Sequence, residues 1–240
     1  MWDRMAAYLR SLLTTLPERP RALLIVSAHW EAPVFTVNAG AAPPLLFDYY
    51  GFPKHTYQLT FPAPGAPLLA ERIRELLEAA GITTTVDAGR GYDHGVFIPF
   101  KLITPQADIP IVQLSMKKGL EVRAHIAAGV ALQSLRDEGV LIVGSGMSWH
   151  NMQAFDPAYL ERSRIFDHWL NATLGENDAT RRESLLENWQ DAPEGRTAQP
   201  YPDHLLPLMV AAGAGRAARA TRDFTDVVMG VQVSAWRFTG

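Results

Sequence analysis

Seven histidines are the residues of this chain best suited to chemistry: His29, His55, His94, His125, His150, His168 and His204. Imidazole changes charge near neutral pH and binds transition metals, so a group of such side chains could hold a metal or move protons. The chain contains no cysteine, which excludes disulfides, thiolate metal sites and cysteine nucleophiles. A lone histidine is more often a surface or hydrogen-bonded core residue than a ligand. His55, His125 and His168 keep that reading, the last two at exposed or half-buried positions of helical patterns.

The other four sit where ligands are usually met. His29 ends the apolar run Arg21-Ala22-Leu23-Leu24-Ile25-Val26-Ser27-Ala28, and His150 follows the run Val140 to Gly144. In open α/β sheets, ligands bind beyond the carboxyl ends of strands, so two strands could deliver these two rings to one edge. His94 lies in the glycine-flanked stretch Gly91-Tyr92-Asp93-His94-Gly95, read as a loop. His204 opens the apolar segment Leu205 to Val210, read as a helix. The aromatic stretch Phe47 to Pro53 offers Tyr49, Tyr50 and Phe52 as contacts for a flat ligand, or a packed lid. Glu31 and Asp93 are carboxylates available to support the histidines or simply to face water.

The elements that must position these residues follow from periodicity. Continuous apolar runs at 21–29, 109–114 and 140–144 predict strands buried on both faces, with weaker strands at 34–37 and 83–86. Helices are expected at 2–13, at 67–80, where Pro67 starts the element and Gly81 stops it, and at 120–138 before Gly139. Thr173 to Arg196 reads as a helix flanked by loops, and the alternation Val227 to Phe238 as one strand. Strands alternating with helices predict an α/β fold, a three-layer single domain with a mostly parallel or mixed central sheet and helices on both faces.

Composition narrows the function classes. A length of 240 residues fits one catalytic domain over 1–240, with a core of ordinary size. Lys and Arg number 22 against 25 Asp and Glu, so no basic surface for nucleic acid is expected. No apolar run approaches the roughly 20 residues that span a bilayer. The start, Met1-Trp2-Asp3-Arg4, lacks the pattern of a secretory signal. A soluble, cytoplasmic protein is expected, with homo-oligomer formation left open.

In order along the chain stand Ser27-Ala28-His29-Trp30-Glu31, Asp48-Tyr49-Tyr50-Gly51-Phe52-Pro53, Phe61-Pro62-Ala63-Pro64-Gly65, Asp93-His94-Gly95, Gly144-Ser145-Gly146-Met147-Ser148-Trp149-His150-Asn151 and Asp203-His204-Leu205-Leu206-Pro207-Leu208. This ordered set resembles the class III extradiol ring-cleavage dioxygenases, in the branch similar to DOPA 4,5-dioxygenase, from about Arg21 onward. The resemblance implies a non-haem metal centre, usually Fe(II) and sometimes Zn(II). It also implies a catechol substrate opened beside its hydroxyl pair by molecular oxygen. By motif match it puts His29, His150 and His204 at the metal and His94 on substrate or oxygen. In related ring-cleavage enzymes the residue matching His150 is an acid–base group, so His150 carries both a metal and a catalytic assignment.

Members of that family usually begin with a strand leading into a His-Gly loop whose histidine is a further ligand. The present sequence opens after that point, near Trp2. The resemblance therefore implies an open place beside the first buried strand and one unfilled side of the metal site. Two other readings use the same histidines: a zinc-dependent hydrolase, and a truncated relative that binds without catalysis.

Overall fold

The computed structural model describes residues 2–239. Its central sheet has five strands: β1 (Ala22–Ala32), β2 (Phe35–Asn38), β3 (Thr84–Asp87), β4 (Ile111–Lys117) and β5 (Val140–Ser145). Their order is β3-β2-β4-β1-β5, with β1 parallel to β4 and β5, β2 parallel to β3, and β2 antiparallel to β4. The sheet is therefore mixed. β1 is paired on both sides, so no place stands open beside it. The free edges belong to β3 and to β5, whose Leu141, Ile142 and Val143 are half-buried.

Successive side chains of a strand point to opposite faces, and each face of β1 is apolar. Leu24 and Val26 join Phe35, Val37, Val112 and Leu114 in one core, against α2 (Pro67–Ala79), α4 (Val122–Ala131), α5 (Leu160–Leu174) and α8 (Leu206–Ala214). Leu23 and Ile25 join Ile111 in the other, against α1 (Asp3–Ser11) and α3 (His94–Ile103). Helices thus cover both faces, and the three-layer α/β expectation holds. The short helices α6 (Ala179–Glu187) and α7 (Gly195–Ala198) fill the polar stretch before α8.

Several local readings change. His94 is not in a loop: it is the first residue of α3. Pro99 inside that helix disguises it in the sequence, because proline lacks the N–H that would bond the Gly95 carbonyl. The freed carbonyl accepts the Ser145 hydroxyl at 2.6 Å instead, tying α3 to the end of β5. The expected helix 120–138 divides into α4 and a 3-10 turn at Gln133–Arg136.

His125, expected at least half-exposed, is fully buried. Its Nδ1 donates to the Glu121 carbonyl at 2.8 Å, and its Nε2 accepts the Lys117 N–H at 3.2 Å. The C-terminal alternation is not one strand either. It belongs to a separate hairpin of β6 (Ala220–Val228) and β7 (Val231–Phe238). Met229 and Gly230 turn it with φ of 51° and 87°, the left-handed backbone that two-residue hairpins require.

One irregularity shapes the sheet's carboxyl edge. Pairing of β1 with β4 runs evenly to Val26 opposite Leu114, then resumes at Glu31 opposite Met116. The extra residues bow Ser27 to Trp30 out of the ladder, and His29 sits on that bow. No helix among the described residues is long and apolar enough to cross a membrane.

Candidate active site

Four of the seven histidines form a continuous chain of rings at this edge. His94 lies 3.8 Å from His29 between centroids, His29 lies 4.9 Å from His204 edge to face, and His204 lies 3.3 Å from His150. His55 and His168 are exposed elsewhere, and His125 packs edge-on against Phe35. The four rings singled out in the sequence meet, and the other three do not join them.

His204 is carried by the turn Pro202–His204 that leads into α8. It reaches β5 because residue 146 is glycine: a Cβ there would stand 2.2 Å from the His204 carbonyl oxygen. The ring is 8% exposed, and neither Nδ1 nor Nε2 has a hydrogen-bond partner among the described residues. Leaving such buried nitrogens unpaired costs about 1–3 kcal/mol each, which is unusual without a functional reason. Burial, reinforced by His150, His29 and His94, pushes the pKa of His204 down to about 2.

His150 belongs to a loop pinned to the segment before His204. Its N–H donates to the Ala198 carbonyl at 2.9 Å, Asn151 donates to the Thr197 carbonyl at 2.8 Å, and Gln199 donates to the carbonyls of Met147 and Ser148. Burial and then His29 lower its pKa to about 4. That of His29 is also lowered, by burial and by His94, against the opposing pull of Asp93 and Asp48. At neutral pH, His29, His150 and His204 are therefore uncharged, with lone pairs available.

Two carboxylates passed over by sequence reasoning reach the rings. Asp48 Oδ1 accepts both the His94 backbone N–H at 3.0 Å and its Nδ1 at 2.8 Å. Asp203 lies 4.0 Å from His150 Nδ1, its pKa raised by burial and by Glu31. Ligand atoms fall into two close groups, His29 with Asp48 and His94, and His150 with Asp203 and His204, each mutually within 4.8 Å. The His29–His204 contact joins them into one site. Only adjacency to an aromatic run and to His204 marked these two aspartates in the sequence.

Asp93 is wholly buried beneath the site. It accepts from Ser27 at 2.7 Å, from Gln113, and from Arg90 at 3.3 Å. Glu31 accepts from the Tyr201 hydroxyl at 3.1 Å, linking β1 to the turn that carries His204. Of the aromatic candidates, Tyr49 stands edge-on to His94 at 5.7 Å, and its hydroxyl donates to the Thr56 carbonyl. Phe52 packs on Tyr49 at 5.4 Å, one ring removed, while Tyr50 is 92% exposed.

Residues 4–234 match the family model described as the catalytic LigB subunit of aromatic ring-opening dioxygenase. A 4,5-DOPA dioxygenase extradiol of Portulaca grandiflora is 41% identical over 83% of this chain and 74% of its own length. The protein of that name from Escherichia coli K12 is 37% identical over 83% and 74%. A dioxygenase of Hapsidospora irregularis, tasH, is 36% identical over 92% and 72%. The crystal structure of an uncharacterized Escherichia coli K12 protein superposes with a TM-score of 0.79 at 32% identity, covering 95% of this chain and 91% of that one.

Proposed function

The chain belongs to the LigB family of extradiol aromatic ring-opening dioxygenases, and from that premise we propose that it opens a catechol ring with molecular oxygen at a non-haem metal centre. The observation that carries the reading is His204, whose two buried ring nitrogens lack any partner among the described residues. A metal ion is the partner that the surrounding chemistry fits. The neighbouring rings are neutral imidazoles, which suit iron and zinc alike.

His204 and His29 would hold the ion, with His150 stacked on His204 beside it. Bound there, Fe(II) supplies the redox chemistry that joins catechol to oxygen; Zn(II) would fit the same donors but has no redox chemistry. The chain's own residues do the rest. His94, at the start of α3, faces the substrate side and takes a catechol hydroxyl proton. Tyr49 offers an aromatic edge to the ring of the substrate. His150, neutral at working pH, is free to accept a proton and return it to the opened product. Both oxygen atoms end in the product as one carbon–carbon bond beside the hydroxyl pair breaks.

The test is anaerobic purification with ferrous iron, followed by a catechol panel including DOPA. Oxygen uptake stoichiometric with a yellow ring-opened product supports the proposal. Iron-loaded protein that consumes no oxygen with any catechol overturns it.

A further inference from the structure

We propose that Asp48 is the positioning residue for His94, holding its ring as the Nδ1-protonated tautomer so that Nε2 is its free nitrogen. The function of that nitrogen rests on the dioxygenase reading; the tautomer itself does not. One carboxylate oxygen, Asp48 Oδ1, takes two protons from the same residue, the backbone N–H at 3.0 Å and Nδ1–H at 2.8 Å. An ionised carboxylate only accepts, so Nδ1 must carry the proton. An unconstrained neutral imidazole favours the other tautomer, with the proton on Nε2. Asp48 therefore reverses the default.

The arrangement is more than a helix cap. His94 is the first residue of α3, where a helix's first N–H groups have no partner in the turn before them and must be met from outside. The ordinary capping position is Asp93, but that side chain points down into the network of Ser27, Gln113 and Arg90 and caps nothing. Asp48 supplies the cap from another segment and grips the ring with the same atom.

Its backbone is fixed well enough to do so. Leu45 and Tyr92 form a parallel bridge, with Leu46 N–H bonded to the Tyr92 carbonyl at 2.7 Å and Tyr92 N–H to that of Pro44 at 2.8 Å. The same strap carries Tyr49, so the aromatic wall and the tautomer of His94 are set together. Hydrogen-bond partners that orient a working imidazole commonly change activity by about 10–100-fold when removed.

The experiment labels the histidines of the full chain with 15N and reads ring tautomers by NMR near pH 8. His94 is assigned by the signal missing in His94→Gln. The expected result is protonated Nδ1 for His94 in the unaltered chain, its retention in Asp48→Asn, whose amide oxygen still accepts, and a switch to protonated Nε2 in Asp48→Ala. A parallel assay of catechol-dependent oxygen uptake should show kcat down about 10–100-fold in Asp48→Ala, and Asp48→Ala should cost little further when added to His94→Gln. Protonated Nε2 in the unaltered chain, or a tautomer unchanged in Asp48→Ala, overturns the proposal. If Asp48→Ala does not fold, the unaltered chain alone decides. Absence of any dioxygenase activity would count against the function and leave the tautomer result standing.

Discussion

The imidazoles of His150 and His204 lie face to face, 3.3 Å between centroids and 14° between planes. Ring lone pairs lie in the ring plane, so nearly parallel rings aim theirs along two separate planes. One ion cannot sit in both. On the proposed dioxygenase reading, the stack divides the labour: His204, whose two nitrogens are buried and lack a partner among the described residues, would be the ligand, and His150 the proton-handling neighbour. His204→Ala should abolish metal retention. His150→Ala should keep most of the metal while losing roughly 10²–10⁴-fold in turnover, the usual range for an acid–base group. Metal content per chain, measured beside oxygen uptake, checks the pair; equal metal loss in both variants would refute the division.

The same burial predicts a trade between function and stability. In chelator-treated protein the His204 nitrogens are a cost with nothing to offset it. His204→Leu, of similar size, should raise the unfolding free energy by about 1–3 kcal/mol while removing metal binding. Urea unfolding with chelator present measures the gain, and a loss of stability would show that the nitrogens are satisfied in solution.

Gly146 should tolerate no side chain. An added methyl would meet the His204 carbonyl at 2.2 Å, a backbone atom with nowhere to go. Gly146→Ala should cost about 1–3 kcal/mol through overpacking and weaken metal affinity by displacing His204. Gly89→Ala is the control, since its nearest new neighbour is at an ordinary 3.6 Å. Thermal melts and zinc titration of both variants separate the outcomes.

His125 gives the fold an acid-sensitive joint away from the site. Burial, the first cause, lowers its pKa to about 4 against an ordinary 6.5. Above pH 6.5 neither folded nor unfolded chain protonates this ring, and its contribution is complete. Between 6.5 and 4 the unfolded chain takes the proton and the folded chain does not, so stability falls by up to about 3 kcal/mol. In urea titrations, the advantage of the unaltered chain over His125→Gln should shrink by about that amount from pH 7.5 to pH 4. A constant gap would contradict it.

The aromatic strap should show graded effects. Tyr49 touches His94, Phe52 touches Tyr49, and Tyr50 is in solvent. Tyr49→Ala should raise KM most, Phe52→Ala less, and Tyr50→Ala hardly at all. A Tyr50→Ala effect matching that of Tyr49→Ala would mean that the strap closes over bound substrate.

Much of this protein is written locally. Leu23 to Val26 are apolar at every position, and Ile111, Val112 and Leu114 leave only Gln113 polar in the second run; only a strand covered on both faces hides every side chain of such a run. Pro67 and Gly81 bracket α2 because one suits a helix start and the other its end. Strand ends and the start of the helical segment after His204 were enough to suggest that His29, His150 and His204 could share an edge. What the sequence could not carry is pairing between distant segments. Asp48 finds His94 across 46 residues, through a strap whose path no local period encodes. His125 looks like any helical histidine until β4 presents Lys117 N–H to it. The hairpin turn at Met229 and Gly230 hides in an alternation that continues on either side. Periodicity reports which face of an element is buried; which faces meet depends on how the closed chain packs, and that decided the site.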